Sequence, residues 1–323
     1  MSRWPAPWRD AGDWRIELLC GLFVERVDMT RQGGLFFLPA VLLLAAGGCK
    51  DKRQEAPPVE EPAVEQAAVE EAAVEQAAVV EKKSRIPDNT IRHFEHSAFM
   101  MKIAGKVFIF DYAIGRRPAD SNDGLARGIV NPDEIKDENV YVFASHSHGD
   151  HFNKIIYTWR EKVARIKYIL SYDIANRPPD AIEMRPGPVL TVDDFKVRAY
   201  PSSDKGVAFS IYVAGKHVYF AGDNAFWNWQ RDRIEEDYVT ESLSFLDQSV
   251  PIDIAFQVCD PRLAGRGAGG IYIFALKLEP KLLVPIHLWG EYDFVAGVES
   301  KLRQRGFKGT FWAVRGKADT ISF

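Results

Sequence analysis

Only 3 cysteines occur in 323 residues, too few for a disulfide-stapled architecture. Surplus charge is missing too. The chain has 41 Lys/Arg against 45 Asp/Glu, and residues 84–323 hold 31 of each, after 5 and 5 in residues 1–49 and 5 and 9 in residues 50–83. A neutral body excludes an enzyme that grips nucleic acid through a broad basic face, so no nucleic-acid partner is expected. The apolar run at residues 35–46 is twelve residues long, short of the about 20 that cross a bilayer. Histidine is scarce as well, 7 in all, and that scarcity gives weight to the place where three of them gather. What remains, 46% hydrophobic and 12% aromatic residues, is enough for a substantial core.

Residues 1–87 do not look like part of such a core. The run Leu35-Phe36-Phe37-Leu38 continues to Ala46 behind Arg31 and ends Ala46-Gly47-Gly48-Cys49, the layout of a secretory signal. The ending resembles the lipobox of bacterial lipoproteins, with Ala46 where that family usually has leucine, and this implies lipidation of Cys49. An ordinary cleaved signal and a buried apolar helix are the alternatives. A signal begins at its own methionine, so Met29 is a candidate start, and residues 1–28, with Cys20, would then lie outside the mature product. Residues 50–87 are rich in Ala, Val, Glu, Gln and Pro. Val59, Val64, Val69, Val74 and Val79 recur every five residues, a period of neither helix nor strand, so this stretch reads as a solvated tether without an apolar face. The folded domain is expected over residues 88–323. The localisation expected is the cell envelope, lipid-anchored on the periplasmic side of the inner or outer membrane.

The chemistry is concentrated at residues 141–151. Tyr141-Val142-Phe143-Ala144 has the β-branched and aromatic character of a buried strand, and it runs into His146-x-His148-x-Asp150-His151. Imidazoles and carboxylates are the donors that divalent zinc prefers, with Mn2+ or Fe2+ as alternatives. On an extended backbone His146 and His148 point the same way, and Gly149 lets the chain turn and aim Asp150 and His151 at a neighbouring point. One loop can therefore serve two metals. Three histidines at these offsets would arise by accident in roughly three chains per thousand of this composition.

This motif resembles the signature of the metallo-β-lactamase superfamily. The resemblance extends over most of residues 88–323, including Thr90 to Asp111, which is similar to the branch holding ascorbate-6-phosphate lactonase and N-acyl-phosphatidylethanolamine phospholipase D. It implies a single-domain α/β fold, a four-layered αββα sandwich, with one or two metal ions at the sheet edge. It also implies that Asp223, in Ala221-Gly222-Asp223, bridges both metals, and that His287, ending the apolar run Lys281-Leu282-Leu283-Val284-Pro285-Ile286, is the last ligand. One position would then have Asp150, His151, His287 and a share of Asp223. The other would have His146, His148 and the rest of Asp223. Where many relatives supply a further histidine, this chain reads Tyr200-Pro201-Ser202-Ser203-Asp204, leaving Ser203 or Asp204 to complete that position. His217, in a hairpin beside Gly215, is not expected to be a ligand. His96 reads as a hydrogen-bonded structural histidine, and Asp111 as a brace for the histidine loop.

The function implied is metal-dependent hydrolysis of an ester, lactone or phosphodiester through a metal-bound hydroxide, with Asp150 also steering the proton of the attacking water. Zinc, one or two ions, is the expected cofactor, and the partners are a small-molecule substrate and the membrane through the anchor. Trp227, Trp229, Arg262 and Trp289 are candidate substrate contacts, Arg262 as an anion clamp or as the ion-pair partner of Asp260. The alternative is a non-catalytic lipoprotein binding a metal or small ligand on the same fold.

Overall fold

A computed structural model of the chain describes residues 85–114, 124–227, 238–244, 246, 250–263 and 269–323. Chain contacts separate Met1–Glu71 from Ala72–Phe323, and every described residue lies in the second unit. The signal, Cys49, residues 50–84 of the expected tether and Trp229 fall outside the described residues, whereas Ile86, near the tether's expected end, is buried in the core.

Strands β1 (Thr90–Glu95), β2 (Ala98–Ile103), β3 (Lys106–Phe110), β4 (Asn139–Ala144), β5 (Ile166–Ser171) and β6 (Ile182–Met184) are followed by β7 (Leu190–Val192), β8 (Phe195–Pro201), β9 (Val207–Val213) and β10 (Lys216–Phe220). The set ends with β11 (Ile254–Val258), β12 (Leu282–Ile286), β13 (Thr310–Phe311) and β14 (Thr320–Ser322). Among the described residues they form two seven-stranded sheets, ordered β14-β1-β2-β3-β4-β5-β6 and β13-β12-β11-β10-β9-β8-β7. Each sheet is antiparallel on one side and parallel on the other. The change falls at β3, which pairs with β2 antiparallel and β4 parallel, and at β10, which pairs with β9 antiparallel and β11 parallel.

The near-continuous apolar runs of β3 and β4 are what a strand buried on both faces requires. Period-2 alternation sends Phe108, Phe110, Tyr141 and Phe143 into one core cluster and Val107, Ile109, Val140 and Val142 into another. The first cluster lies between the sheets, where the ring of Phe110 stacks on Phe220 of the second sheet at 4.7 Å between centroids. The second is closed over the outer face by a tight 3₁₀ helix at Lys154–Glu161, whose Trp159 meets Tyr112 at 4.9 Å, and by the single turn α1 (Pro132–Ile135), which buries Ile135. An ordinary helix is the expectation at 153–163. The backbone winds more tightly, with Asn153 capping it through the Ile155 N–H and the Tyr168 hydroxyl donating to the Ile156 carbonyl. On the other outer face, α2 (Gly269–Leu278) sets Phe274 against Tyr219 of β10 at 5.2 Å, and α3 (Tyr292–Gln304) buries Val295, Val298 and Leu302. The layers are those of the expected αββα sandwich. Among the described residues no helix is long and apolar enough to cross a membrane.

This topology decides where the chemistry sits. Asp111, the histidine loop, Asp223, Asp260 and His287 all follow the carboxyl ends of parallel-paired strands, β3, β4, β10, β11 and β12, which is where open α/β sheets place ligands.

Candidate metal centre

His146, His148, Asp150, His151, Asp223 and His287 converge, as the sequence suggests, and His96 joins them. Ligand atoms within 4.8 Å of one another form three overlapping groups: His96, Asp150, His151 and His287; His146, His148 and Asp223; and Asp111, His146 and His151. Asp223 lies between the first two. Its Oδ1 is 3.1 Å from His151 Nε2 and 3.3 Å from His287 Nε2, and its Oδ2 is 3.4 Å from His146 Nε2. His146 Nε2 and His148 Nδ1 approach to 3.0 Å. Asp150 Oδ2 stands 3.8 Å from His287 Nε2 and 3.9 Å from His151 Nε2.

Each inward imidazole nitrogen is set by what holds the other side of the ring. Asp111, fully buried at the end of β3, accepts from the Ser145 N–H at 2.7 Å, from the Ser145 hydroxyl at 2.6 Å and from His151 Nδ1 at 2.7 Å. Because the Ser145 hydroxyl gives its proton to Asp111, its oxygen accepts from His146 Nδ1 at 3.0 Å. His287 Nδ1 donates to Asp260 Oδ2 at 2.9 Å. All three rings thus turn an Nε2 lone pair inward. The Nε2 atoms of His96, His151 and His287 and Oδ1 of Asp223 are buried without a hydrogen-bond partner among the described residues. Buried polar atoms are rarely left so. Three of them, His151 Nε2, His287 Nε2 and Asp223 Oδ1, lie around one point and fit a divalent cation, whose coordination would satisfy their lone pairs.

The electrostatics point the same way. Burial opposes charge on His151, but Asp223 and then Asp111 prevail and lift it to about 10. Burial also opposes ionisation of Asp223, yet His151, His146 and His287 hold its carboxyl well below the usual range. Asp150 is held below it mainly by His96. Without a metal, then, the cluster attracts a proton where a cation would carry the charge.

Backbone strain gathers here as well. His96, Asp111, His287 and Trp289 have φ of 52°, 42°, 66° and 51°, a region costly for side-chain-bearing residues and found around functional sites. Gly206, at φ 73°, brings its backbone against the histidine loop, and a Cβ there would lie 2.1 Å from the Ser145 carbonyl oxygen.

Ser203 and Asp204 do not complete the His146 side. The Ser203 hydroxyl accepts from the Ala225 N–H at 2.8 Å and donates to the Ala225 carbonyl at 2.7 Å, fastening the turn that carries Asp223. Asp204 is exposed and belongs to none of the three groups. His217 lies away from the cluster, with Nε2 2.9 Å from the Ser210 hydroxyl. Arg262 takes the ion-pair role rather than standing clear as an anion clamp. Its Nε and Nη2 engage Asp260 at 3.0 and 2.6 Å, and its guanidinium lies 4.6 Å over Trp289. Asp260 therefore joins Arg262 to His287, a role the sequence did not disclose. Trp227 donates its indole N–H to the Asp223 carbonyl at 2.8 Å, its ring 5.4 Å from His287. Trp289 is 45% exposed and, with His96, Asp150, Tyr292 and Lys317, lines a cavity of about 520 Å³ that opens onto the cluster.

No protein-family model matches the chain. It is 25% identical over 158 residues to a metal-dependent hydrolase of Opitutus terrae, the match covering 44% of this chain and 65% of that one. The chain thus spans slightly under two thirds of that relative's length. Among solved structures, Igni18, a metallo hydrolase from the archaeon Ignicoccus hospitalis, has a TM-score of 0.53 at 18% identity, covering 72% of this chain and 97% of that chain. A possible metal-dependent hydrolase from Veillonella parvula has a TM-score of 0.50 at 12% identity, covering 73% and 100%. These structural likenesses are likenesses of fold.

Proposed function

We propose that this chain, whose fold is the αββα sandwich of the metallo-β-lactamase superfamily, is a metal-dependent hydrolase of an ester, lactone or phosphodiester bond. The observation that carries the reading is the set of orphaned buried donors, His151 Nε2, His287 Nε2 and Asp223 Oδ1, aimed at one point beside an open cavity. The residues that would hold a cation are Asp150, His151, Asp223 and His287 on one side of Asp223, and His146 and His148 on the other. Neutral imidazole and carboxylate donors suit zinc, with Mn2+ or Fe2+ as alternatives. When bound, such a cation supplies Lewis acidity and makes water acidic enough to attack at neutral pH.

The rest is the work of the chain's own residues. Asp150, kept ionised by His96 and only half-buried at the cavity floor, accepts the proton of the attacking water. Asp111, Ser145 and Asp260 keep the ligand imidazoles in the tautomer that offers Nε2. Trp289 and Tyr292 give the cavity an aromatic wall for the non-reacting part of the substrate. The purified protein is expected to turn over at least one of a panel of nitrophenyl carboxylic esters, lactones and bis-nitrophenyl phosphodiesters, and to stop when chelated. The second reading, a protein that binds metal or a small ligand without turnover, is favoured by the three-donor set at His146, His148 and Asp223. Inertness across the whole panel in metal-loaded protein would select it.

The site is further proposed to work at the cell envelope, held by lipid on Cys49. The sequence of residues 50–83 carries no continuous apolar stripe with which to hold a membrane unaided. Cys49→Ser is expected to move the protein from the membrane fraction to the soluble envelope fraction or leave it unprocessed. Unchanged membrane attachment would reject the anchor.

A further inference from the structure

The imidazoles around the cavity floor are not wired alike. His146, His151 and His287 each have Nδ1 against an acceptor, which fixes the proton there and leaves Nε2 bare. His96 has the opposite neighbour. Its Nδ1 accepts from the backbone N–H of Trp289 at 3.3 Å, and a backbone N–H can only donate. In a neutral imidazole the nitrogen that accepts is the bare one, so His96 carries its proton on Nε2. That nitrogen is buried and makes no hydrogen bond among the described residues; Asp150 Oδ2 stands 3.5 Å away.

We propose that His96 is the positioning residue for Asp150, donating from Nε2 to the carboxylate oxygen, and that it is not a metal ligand. A ligand needs a bare inward nitrogen, which the Trp289 N–H denies to His96. A shift of about half an ångström would bring the pair within hydrogen-bond range. The ring is held for this task from several sides. His96 sits in the tight turn between β1 and β2 at φ 52°, with Trp289 at 4.3 Å and His287 at 4.2 Å between centroids. The Trp289 N–H that fixes its tautomer comes from the loop after β12, two residues beyond His287. One loop therefore supplies both a candidate ligand and the group that orients Asp150's partner. Asp150 is only half-buried, and carboxylate ligands are commonly steadied by such outer hydrogen bonds.

The inference rests on the hydrolase reading for its kinetic consequence, though not for its direct test. In zinc-loaded protein, long-range nitrogen–proton correlation spectra of the histidine rings should show His96 protonated at Nε2 and bare at Nδ1, with His146, His151 and His287 the reverse. His96 protonated at Nδ1, or shifted as a metal-bound nitrogen at Nε2, would overturn the proposal whether or not the protein is a hydrolase. In variants, His96→Ala and His96→Gln should both retain metal through dialysis against a mild chelator as the parent does. His96→Ala should lower kcat by about 10–100-fold with KM little changed, and His96→Gln, whose amide can donate, should recover most of that loss. Metal loss from His96→Ala as severe as from His151→Ala, or a glutamine variant no better than alanine, would show that His96 is a ligand or a packing residue. Absence of turnover in the parent would reject the hydrolase reading while the spectra and metal retention still decide the role of His96.

Discussion

Replacing Asp111 by alanine should cost the metal-free protein about 3–5 kcal/mol of stability, the range for removing one partner of a buried ion pair. The carboxylate is fully buried and receives three donors, the Ser145 N–H, the Ser145 hydroxyl and His151 Nδ1. Alanine would leave all three without their acceptor. The gentler Asp111→Asn keeps the shape but removes the charge, and its effect should depend on pH. His151 is raised from 6.5 to about 10 in the folded protein, so its charged form stabilises the fold fully below pH 6.5, and that contribution is lost as pH rises through about 10. Urea unfolding of metal-free protein should therefore show the Asp111→Asn deficit largest below pH 6.5 and shrinking towards pH 10. A flat deficit, or an alanine cost below about 1 kcal/mol, would mean that Asp111 does not hold His151 as the geometry implies.

Metal should be lost far more readily after His151→Ala than after His146→Ala. On the His151 side of Asp223, Asp150, His151 and His287 converge with Asp223 Oδ1. On the other side, among the described residues, only His146, His148 and Asp223 Oδ2 do, because the Ser203 hydroxyl is turned to the Ala225 backbone and Asp204 faces solvent. Ligand number and charge set affinity for zinc. Dialysis against a mild chelator should leave about one ion per parent chain, as metal binding to a formed site is strong. Elemental analysis should find markedly less in His151→Ala and nearly the parent amount in His146→Ala. Two ions held equally, or greater loss from His146→Ala, would contradict this asymmetry.

The parts of the site legible in the sequence are those whose information is local. The histidine loop announces itself because a strand, two residues of spacing and Gly149 place its side chains within six positions of one another. Asp223 and His287 are legible because each ends an apolar run. Asp260 was readable as the partner of Arg262, two positions away. Its second task, holding His287, arises only from the parallel register that pairs Val258 with Ile286 and so brings residues 260 and 287 side by side. His96 was read as structural because the groups that give it purpose, the Trp289 N–H and Asp150, lie 193 and 54 positions along the chain. Ser203 shows the converse. Its loop does reach the site, but a hydroxyl carries no signal of which way it turns, and here it fastens the backbone beneath Asp223. The inner strands were legible from their apolar runs, whereas β6, β7, β13 and β14, of two or three residues each, are too short to show a period.

The central claim is that the convergence of His151, His287, Asp150 and Asp223 is a metal centre that drives hydrolysis. The most direct measurement strips the protein with a strong chelator and returns zinc in substoichiometric steps, recording bound metal and turnover of the best panel substrate together. The account predicts no turnover in stripped protein, and recovery that rises with the first tightly bound equivalent in the parent but not in His151→Ala or His287→Ala. Turnover that survives stripping, or zinc rebinding equally well to both variants, would contradict it.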